Sequence, residues 1–139
     1  MTLRYLLDTS TLSAAVQRAP HPGIVHRLTR EGSACAIAAP VWHELLYGVE
    51  RLPAGGKRTR LEDYLHRAVE RSFPILPYDH VAATWHARER ARLERAGKTP
   101  PFVDGQIAAI AYCNDLELIT ANARDFESFR GIRVANWRR

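Results

Sequence analysis

A chain of 139 residues, 46% hydrophobic and 25% charged, fits one globular domain with a single core, so the expected domain is 1–139. No apolar run approaches the ~18 residues a membrane helix needs. Asp8 also comes too early for the apolar stretch of a signal peptide, so a cytoplasmic location is expected. The net charge of +5 and a pI near 9.7 suit an anionic partner, because Lys and Arg displace counterions from phosphates.

In chain order, residues 3–7 read as a short buried strand ending at Asp8. Thr9, Ser10 and Thr11 are N-cap candidates for a helix running to about Arg18, which Pro20 and Pro22 break. Gly23 to Glu31 reads as a short amphipathic helix closed by Gly32, and 34–38 as a strand of small residues. Pro40 sits where a first helical turn tolerates proline, and it opens a helix with Val41, Leu45 and Val49 on one face. After a loop at 53–56, Lys57 to Ser72 predicts an amphipathic helix that buries Leu61, Tyr64, Leu65, Ala68 and Val69. Phe73 to Tyr78 predicts a strand whose prolines mark its ends or an edge. Asp79 caps a long helix to about Ala96, ended by Gly97, and a proline-containing loop covers 98–103. Asp104 to Asn114 predicts a helix, 116–120 a strand, and Arg133 to Asn136 a last short strand. Strands separated by helices of this length pair in parallel through right-handed crossovers, which defines an α/β domain.

Cys35 and Cys113 lie far apart in apolar segments and are expected to be free thiols. The six histidines form no zinc-binding pair; His43-Glu44 resembles half of an HExxH motif, but position 47 is Tyr47.

The acids are more informative. In open α/β sheets, ligands collect at the carboxyl ends of strands. Asp8 follows the first strand directly, and Asn122 and Asp125 follow the 116–120 strand. Glu44 lies early in one helix and Asp104 opens another. Each has a purely structural use: Asp8 as a cap, Glu44 as a solvated helix residue, Asp104 at a helix dipole, Asn122 and Asp125 in a turn. Brought together, however, these carboxylates repel one another and imply a cation. Oxygen ligands without histidine or thiolate select Mg2+ or Mn2+. A carboxylate cluster in a basic protein is the arrangement for metal-assisted phosphodiester hydrolysis. A phosphatase, a DNA nuclease, or a binding module with structural acids remain the alternatives.

The segments Leu-Leu-Asp8-Thr-Ser, Ala-Pro-Val-Trp-His-Glu44-Leu-Leu-Tyr-Gly and Pro-Phe-Val-Asp104-Gly-Gln-Ile-Ala-Ala-Ile-Ala span most of the chain, followed by Leu-Ile-Thr-Ala-Asn122-Ala-Arg-Asp125-Phe and Ile132 to Trp137. In this order they resemble the PIN-domain family and, within it, the VapC toxins. The resemblance implies a three-layer α/β/α sandwich with a small central parallel sheet. It also implies a Mg2+- or Mn2+-dependent endoribonuclease toxin, a homodimer, and a small VapB-like antitoxin that blocks the site. Asp8, Glu44 and Asp104 match the family's three main acids, while Asn122 stands where many members carry an aspartate. The expected catalytic set is therefore Asp8, Glu44, Asp104 and Asp125, with Asn122 added for the metal. Asp8 and Asp104 are expected as direct ligands, Glu44 as the residue orienting water, and Asn122 and Asp125 as supports. Hydroxyls of Thr9, Ser10 and Thr120 are expected to fix the carboxylates. Arg18, Lys57, Arg58, Arg60, Lys98, Arg124, Arg138 and Arg139 are candidates for an RNA path, whereas Arg88, Arg90, Arg92 and Arg95 read first as intrahelical partners of Glu89 and Glu94. The negative pocket also suits an antitoxin arginine, whose apolar anchor would sit near Val16, Leu45 and Leu46.

Overall fold

The computed structural model describes residues 2–16 and 20–138. Five strands form one parallel sheet: β1 (Tyr5–Leu7), β2 (Cys35–Ala38), β3 (Ile75–Leu76), β4 (Glu117–Ile119) and β5 (Val134–Ala135), in the order β3-β2-β1-β4-β5. Leu6, Leu7, Ala36, Ile37, Ala38, Leu118 and Ile119 are fully buried at consecutive positions. Buried neighbours in a strand face opposite sides of the sheet, so helices must cover both faces. The expected three-layer α/β/α arrangement is the one observed.

Helices fill the crossovers: α1 (Thr9–Val16), α2 (Pro22–Glu31), α3 (Ala39–Glu50), α4 (Gly56–Tyr64), α5 (Glu70–Ser72), α6 (His80–Arg95) and α7 (Phe102–Cys113). The expected helix over 57–72 is interrupted by a widened turn at Leu65–Val69, between α4 and α5, where Leu65 and Val69 enter the core. Tyr64, expected inside, stays 40% exposed. The expected strand over 73–78 shrinks to β3, because Pro74 and Pro77 have no N–H to give the ladder. Pro74 contributes only its carbonyl, which accepts from Ile37 N at 3.0 Å. Asp79 caps α6 as expected, its carboxylate accepting from Ala82 N at 2.9 Å. The helix expected from Asp104 begins earlier, at Phe102. Pro101, extended at φ −54° and ψ 142°, already supplies the residue outside the first turn.

Winding reverses between β1 and β4: the chain moves outward through β2 and β3, then returns to the other side of β1. Such a switch point leaves a crevice beyond the strands' carboxyl ends, where α/β folds bind ligands. Both cysteines are free, as expected.

One close helix contact shapes the region beside that crevice. A Cβ at Gly105 in α7 would lie 2.1 Å from Nε2 of His86 in α6, so only glycine lets the two helices meet there. Tyr78 Oη and His86 Nδ1 are 2.8 Å apart, and this hydrogen bond fixes the buried imidazole. Burial, followed by the charge of Arg90, lowers the pKa of His86 and keeps the ring neutral.

Candidate acidic site

At the switch point, Asp8, Thr9, Ser10, Glu44, Asp104, Asn122 and Asp125 line one open cleft of about 300 Å³, together with Val103, Ile107 and Phe126. Every candidate acid from the sequence reaches it.

Asp8 is held most firmly. The chain leaves β1 with Asp8 N donating to Ile119 O of β4 at 3.1 Å. Its carboxylate, 6% exposed, accepts from Ser10 Oγ at 2.7 Å and Thr11 N at 3.1 Å. Ser10 Oγ in turn accepts from Ala121 N at 3.1 Å, and Thr11 Oγ1 donates to Ile119 O at 2.9 Å. The first turn of α1 thus binds the end of β4 and presents the Asp8 carboxylate in one orientation. Ser10 performs the role expected of it. Thr120 does not: its hydroxyl, fully buried, accepts from Asn122 N at 3.0 Å and shapes the turn instead of touching a carboxylate. A hydroxyl that close to the strand end satisfies the nearest free N–H first.

Asp104, half-buried in the first turn of α7, has its carboxyl pKa raised by burial first, then by the charges of Asp125 and Asp8. Asp125 sits inside a short 3-10 turn, Ala123–Phe126, and donates its N–H to Asn122 O at 3.0 Å. Asn122 and Asp125 are both exposed. Glu44 stands at the mouth, with its side chain 47% exposed and 3.7 Å from Nδ1 of His43.

Among the described residues lining the cleft, none is Lys or Arg. Nor, among the described residues, do any three His, Cys, Asp or Glu side chains form a ready-made ion cage. The donor set is nevertheless one for a hard cation: oxygen ligands only, with the Asp104 carboxyl pushed toward its protonated form by burial and, after that, by its acidic neighbours. Magnesium, which keeps several waters and takes one or two carboxylates directly, suits this open spacing.

Sequence reasoning missed the support behind Asp125. Glu89, expected to pair only within its helix, is buried. Its Oε1 accepts from Arg92 Nη2 at 2.8 Å and from Arg130 N at 2.7 Å, and Arg92 also donates to Ser128 O at 2.9 Å. The Arg92 bond, reinforced by the Arg130 amide, holds the Glu89 carboxyl below its ordinary pKa. This node ties α6 to the segment that follows Asp125. The expected pairing of Arg90 with Glu94 is present at 3.3 Å. Of the proposed RNA-path residues, Arg58 is already paired with Glu50 at 2.6 Å, while Arg124 is exposed beside Asp125. Arg18 and Arg139 lie outside the described residues.

The PIN domain model matches residues 5–132, and the chain belongs to the PIN-domain family. It is 31% identical to the tRNA(fMet)-specific endonuclease VapC of Salmonella typhimurium over 97% of this chain and 98% of that protein. It is 33% identical to toxin FitB of Neisseria gonorrhoeae over 94% of each. The crystal structure of DNA-bound VapBC from Salmonella typhimurium superimposes with a TM-score of 0.88 at 30% identity, covering 98% of this chain and 99% of that one.

The raised pKa of Asp104 has a consequence for the metal-free protein. An unfolded aspartate titrates near about 3.9. Because the folded pKa lies above that value, the folded state holds the Asp104 proton more tightly, which favours folding at low pH. That contribution is lost as pH rises through the folded pKa. Denaturant melts of chelator-treated protein at rising pH should therefore show a loss of stability on leaving the ordinary aspartate range, and Asp104→Asn should lack that loss. Parallel pH–stability curves for the two proteins would contradict the assignment.

Proposed function

We propose that the acidic cleft is the hydrolytic centre of a metal-dependent endoribonuclease, with Asp8, Glu44, Asp104 and Asp125 as its working carboxylates. The protein is a PIN-domain toxin endoribonuclease of the VapC kind, a hydrolase of phosphodiester bonds. One observation supports the placement above the others: the burial and mutual repulsion that raise the Asp104 pKa, at the crevice where the sheet's winding reverses. Such a site gains from a cation and from the phosphate a cation brings with it.

Asp8 and Asp104 are the residues that would hold the ion, Asp8 with its orientation set by Ser10 and Thr11. When bound, Mg2+ or Mn2+ would supply a polarised water and offset charge on the phosphate oxygens. Glu44, exposed at the mouth, orients the attacking water. As the water oxygen bonds to phosphorus it gives up its proton to solvent, the bond to the leaving ribose oxygen breaks, and that oxygen takes a proton from solvent. Asp125 supplies the charge that Asn122 lacks; its field already reaches Asp104, and the Glu89–Arg92 node steadies the segment behind it. The substrate is RNA, and transfer RNA is the class to test first, given what the Salmonella relative is named for.

Asp104→Asn should lower cleavage of labelled total RNA by at least about a hundredfold with the fold intact, since each ~1.4 kcal/mol of lost stabilisation is tenfold in rate. In the same assay series, magnesium titration should show Asp125→Ala weakening metal use more than Asn122→Ala. Near wild-type cleavage by Asp104→Asn removes that residue from the centre, and the reverse order of the other two makes Asn122 the fourth corner.

The partner is a small antitoxin. We assign it a basic side chain placed among Asp8, Glu44 and Asp104, because an arginine fork fits carboxylates in bidentate fashion. Its apolar anchor lies on α3 near Leu45 and Leu46, which are only partly buried against the core; the side chain of Val16, the third expected anchor, lies outside the described residues. The purified complex should carry little metal, and excess magnesium should partly restore cleavage. Full metal occupancy with no magnesium response means that the antitoxin only blocks RNA access.

A further inference from the structure

Beside the acidic cleft, across the start of α7, lies a second hollow of about 360 Å³, lined by Tyr78, Ala87, Arg90, Ala91, Glu94 and Phe102. Its size falls among small-ligand sites of roughly 300–1,000 Å³. Phe102 and Val103 are consecutive in α7, and each lines one of the two hollows, with Asp104 next in the chain. The two sites therefore meet at consecutive residues of α7.

Phe102 is the feature that needs explaining. It occupies the first position of a helix, where no packing demands an aromatic, and it is 50% exposed. Its ring is nevertheless fixed. The His86 ring lies 4.9 Å away between centroids, and the Arg90 guanidinium stands 5.3 Å from the ring centre. His86 is itself immobilised by Tyr78 and by its close approach to Gly105, and Arg90 is tethered by Glu94 at 3.3 Å. A half-exposed aromatic with a guanidinium over its face, and a carboxylate paired with that guanidinium, is a surface for a flat, polar, heteroaromatic group. Single-stranded RNA is bound in this way, by stacking on aromatic rings and guanidinium planes.

Resting on the ribonuclease reading, we infer that the Tyr78–Arg90–Phe102 hollow is a nucleobase subsite for a nucleotide flanking the scissile phosphate. The base stacks on Phe102 as the Arg90 guanidinium, which lies over that ring in the free protein, turns to the neighbouring phosphate, and Glu94, released from Arg90, accepts from an exocyclic amino group. Adenine, cytosine and guanine carry such a group while uracil offers only its ring N3–H, so the subsite ranks uracil below the other three. The same hollow would fit an antitoxin side chain less well, because it sets an arginine–glutamate pair beside the aromatic and adjoins the hydrolytic cleft through the consecutive residues Phe102 and Val103.

The test is equilibrium binding of short single-stranded RNA oligonucleotides, each with one abasic position, to the non-cleaving Asp104→Asn protein in magnesium. The same scan is repeated with Phe102→Ala and Phe102→Trp added. One abasic position should weaken binding about tenfold. Phe102→Ala should weaken binding of intact RNA by a similar factor and become indifferent to that abasic position, while Phe102→Trp keeps both affinity and sensitivity. Glu94→Gln should reduce the discrimination against uracil at that position. The exposed ring makes a folding defect unexpected, and unchanged thermal melts confirm it. Unaltered RNA binding by Phe102→Ala overturns the subsite, as does a loss equal at every abasic position or one shared by Phe102→Trp. Unaltered RNA binding with weakened capture of the co-expressed antitoxin overturns it in favour of a protein contact. Because the readout is binding, a wild-type protein that cuts no RNA would sink the ribonuclease reading while these arms still judge the subsite.

Discussion

The pairing of β1 with β4, in register from Tyr5 opposite Glu117 to Leu7 opposite Ile119, decides where Asp8 and the Asn122–Asp125 corner of the cleft can go. Both strands end at the same edge, so Asp8 and the Thr120–Asp125 turn emerge side by side although more than a hundred residues separate Thr11 from its acceptor on Ile119. Three hydrogen bonds from the first turn of α1 stitch the two ends together: Asp8 N and Thr11 Oγ1 to Ile119 O, and Ala121 N to Ser10 Oγ. A site that concentrates negative charge needs such a fixed frame, since free carboxylates would swing apart. The protein holds them together at a cost expressed in the raised pKa of Asp104.

Much of this was legible in the sequence, and the reasons are local. Leu-Leu-Asp8 announces a buried strand and its end. Asp79 three residues ahead of the Ala82 amide announces a cap. Helical spacing announces α3 and α6. Asp8, Asp104, Asn122 and Asp125 could be gathered because each sits at or near an element boundary, and strand ends in a parallel sheet share an edge; Glu44, inside α3, follows from the helix that leaves β2 at that same edge. What spacing does not encode is which distant group a side chain meets. Glu89 reads as an intrahelical partner of the arginines, and it does pair with Arg92, yet it is also buried against the Arg130 amide. Nothing in the spacing tells that Gly105 makes room for His86. Thr120 reads as a helper of the acids, yet it serves its own turn. Strand lengths were overestimated where Pro74 and Pro77 remove ladder donors, and the start of α7 was placed late because Pro101, not Asp104, sets it.

The energetic logic runs from frame to chemistry. A dry core under the sheet fixes the strand ends, and the strand ends fix the acids. The acids carry an excess of negative charge that no Lys or Arg among the described lining residues offsets. In the proposed function a hard cation would relieve that excess and help bind the scissile phosphate. The net positive charge of the chain suits an anionic polymer such as RNA although the cleft itself is acidic.

The central claim is that the cleft's carboxylates act as one cation site. Thermal unfolding of chelator-treated protein across a magnesium series tests it most directly. Ligand that binds only the folded state stabilises by about 2.7 kcal/mol at a hundredfold excess over Kd. The melting temperature of the wild type should therefore climb with magnesium and level off only logarithmically. Asp8→Asn, which keeps an oxygen acceptor for Ser10 and Thr11 but removes the charge, should show little response. A wild type indifferent to magnesium, or an Asp8→Asn protein stabilised to the same extent, would contradict the account.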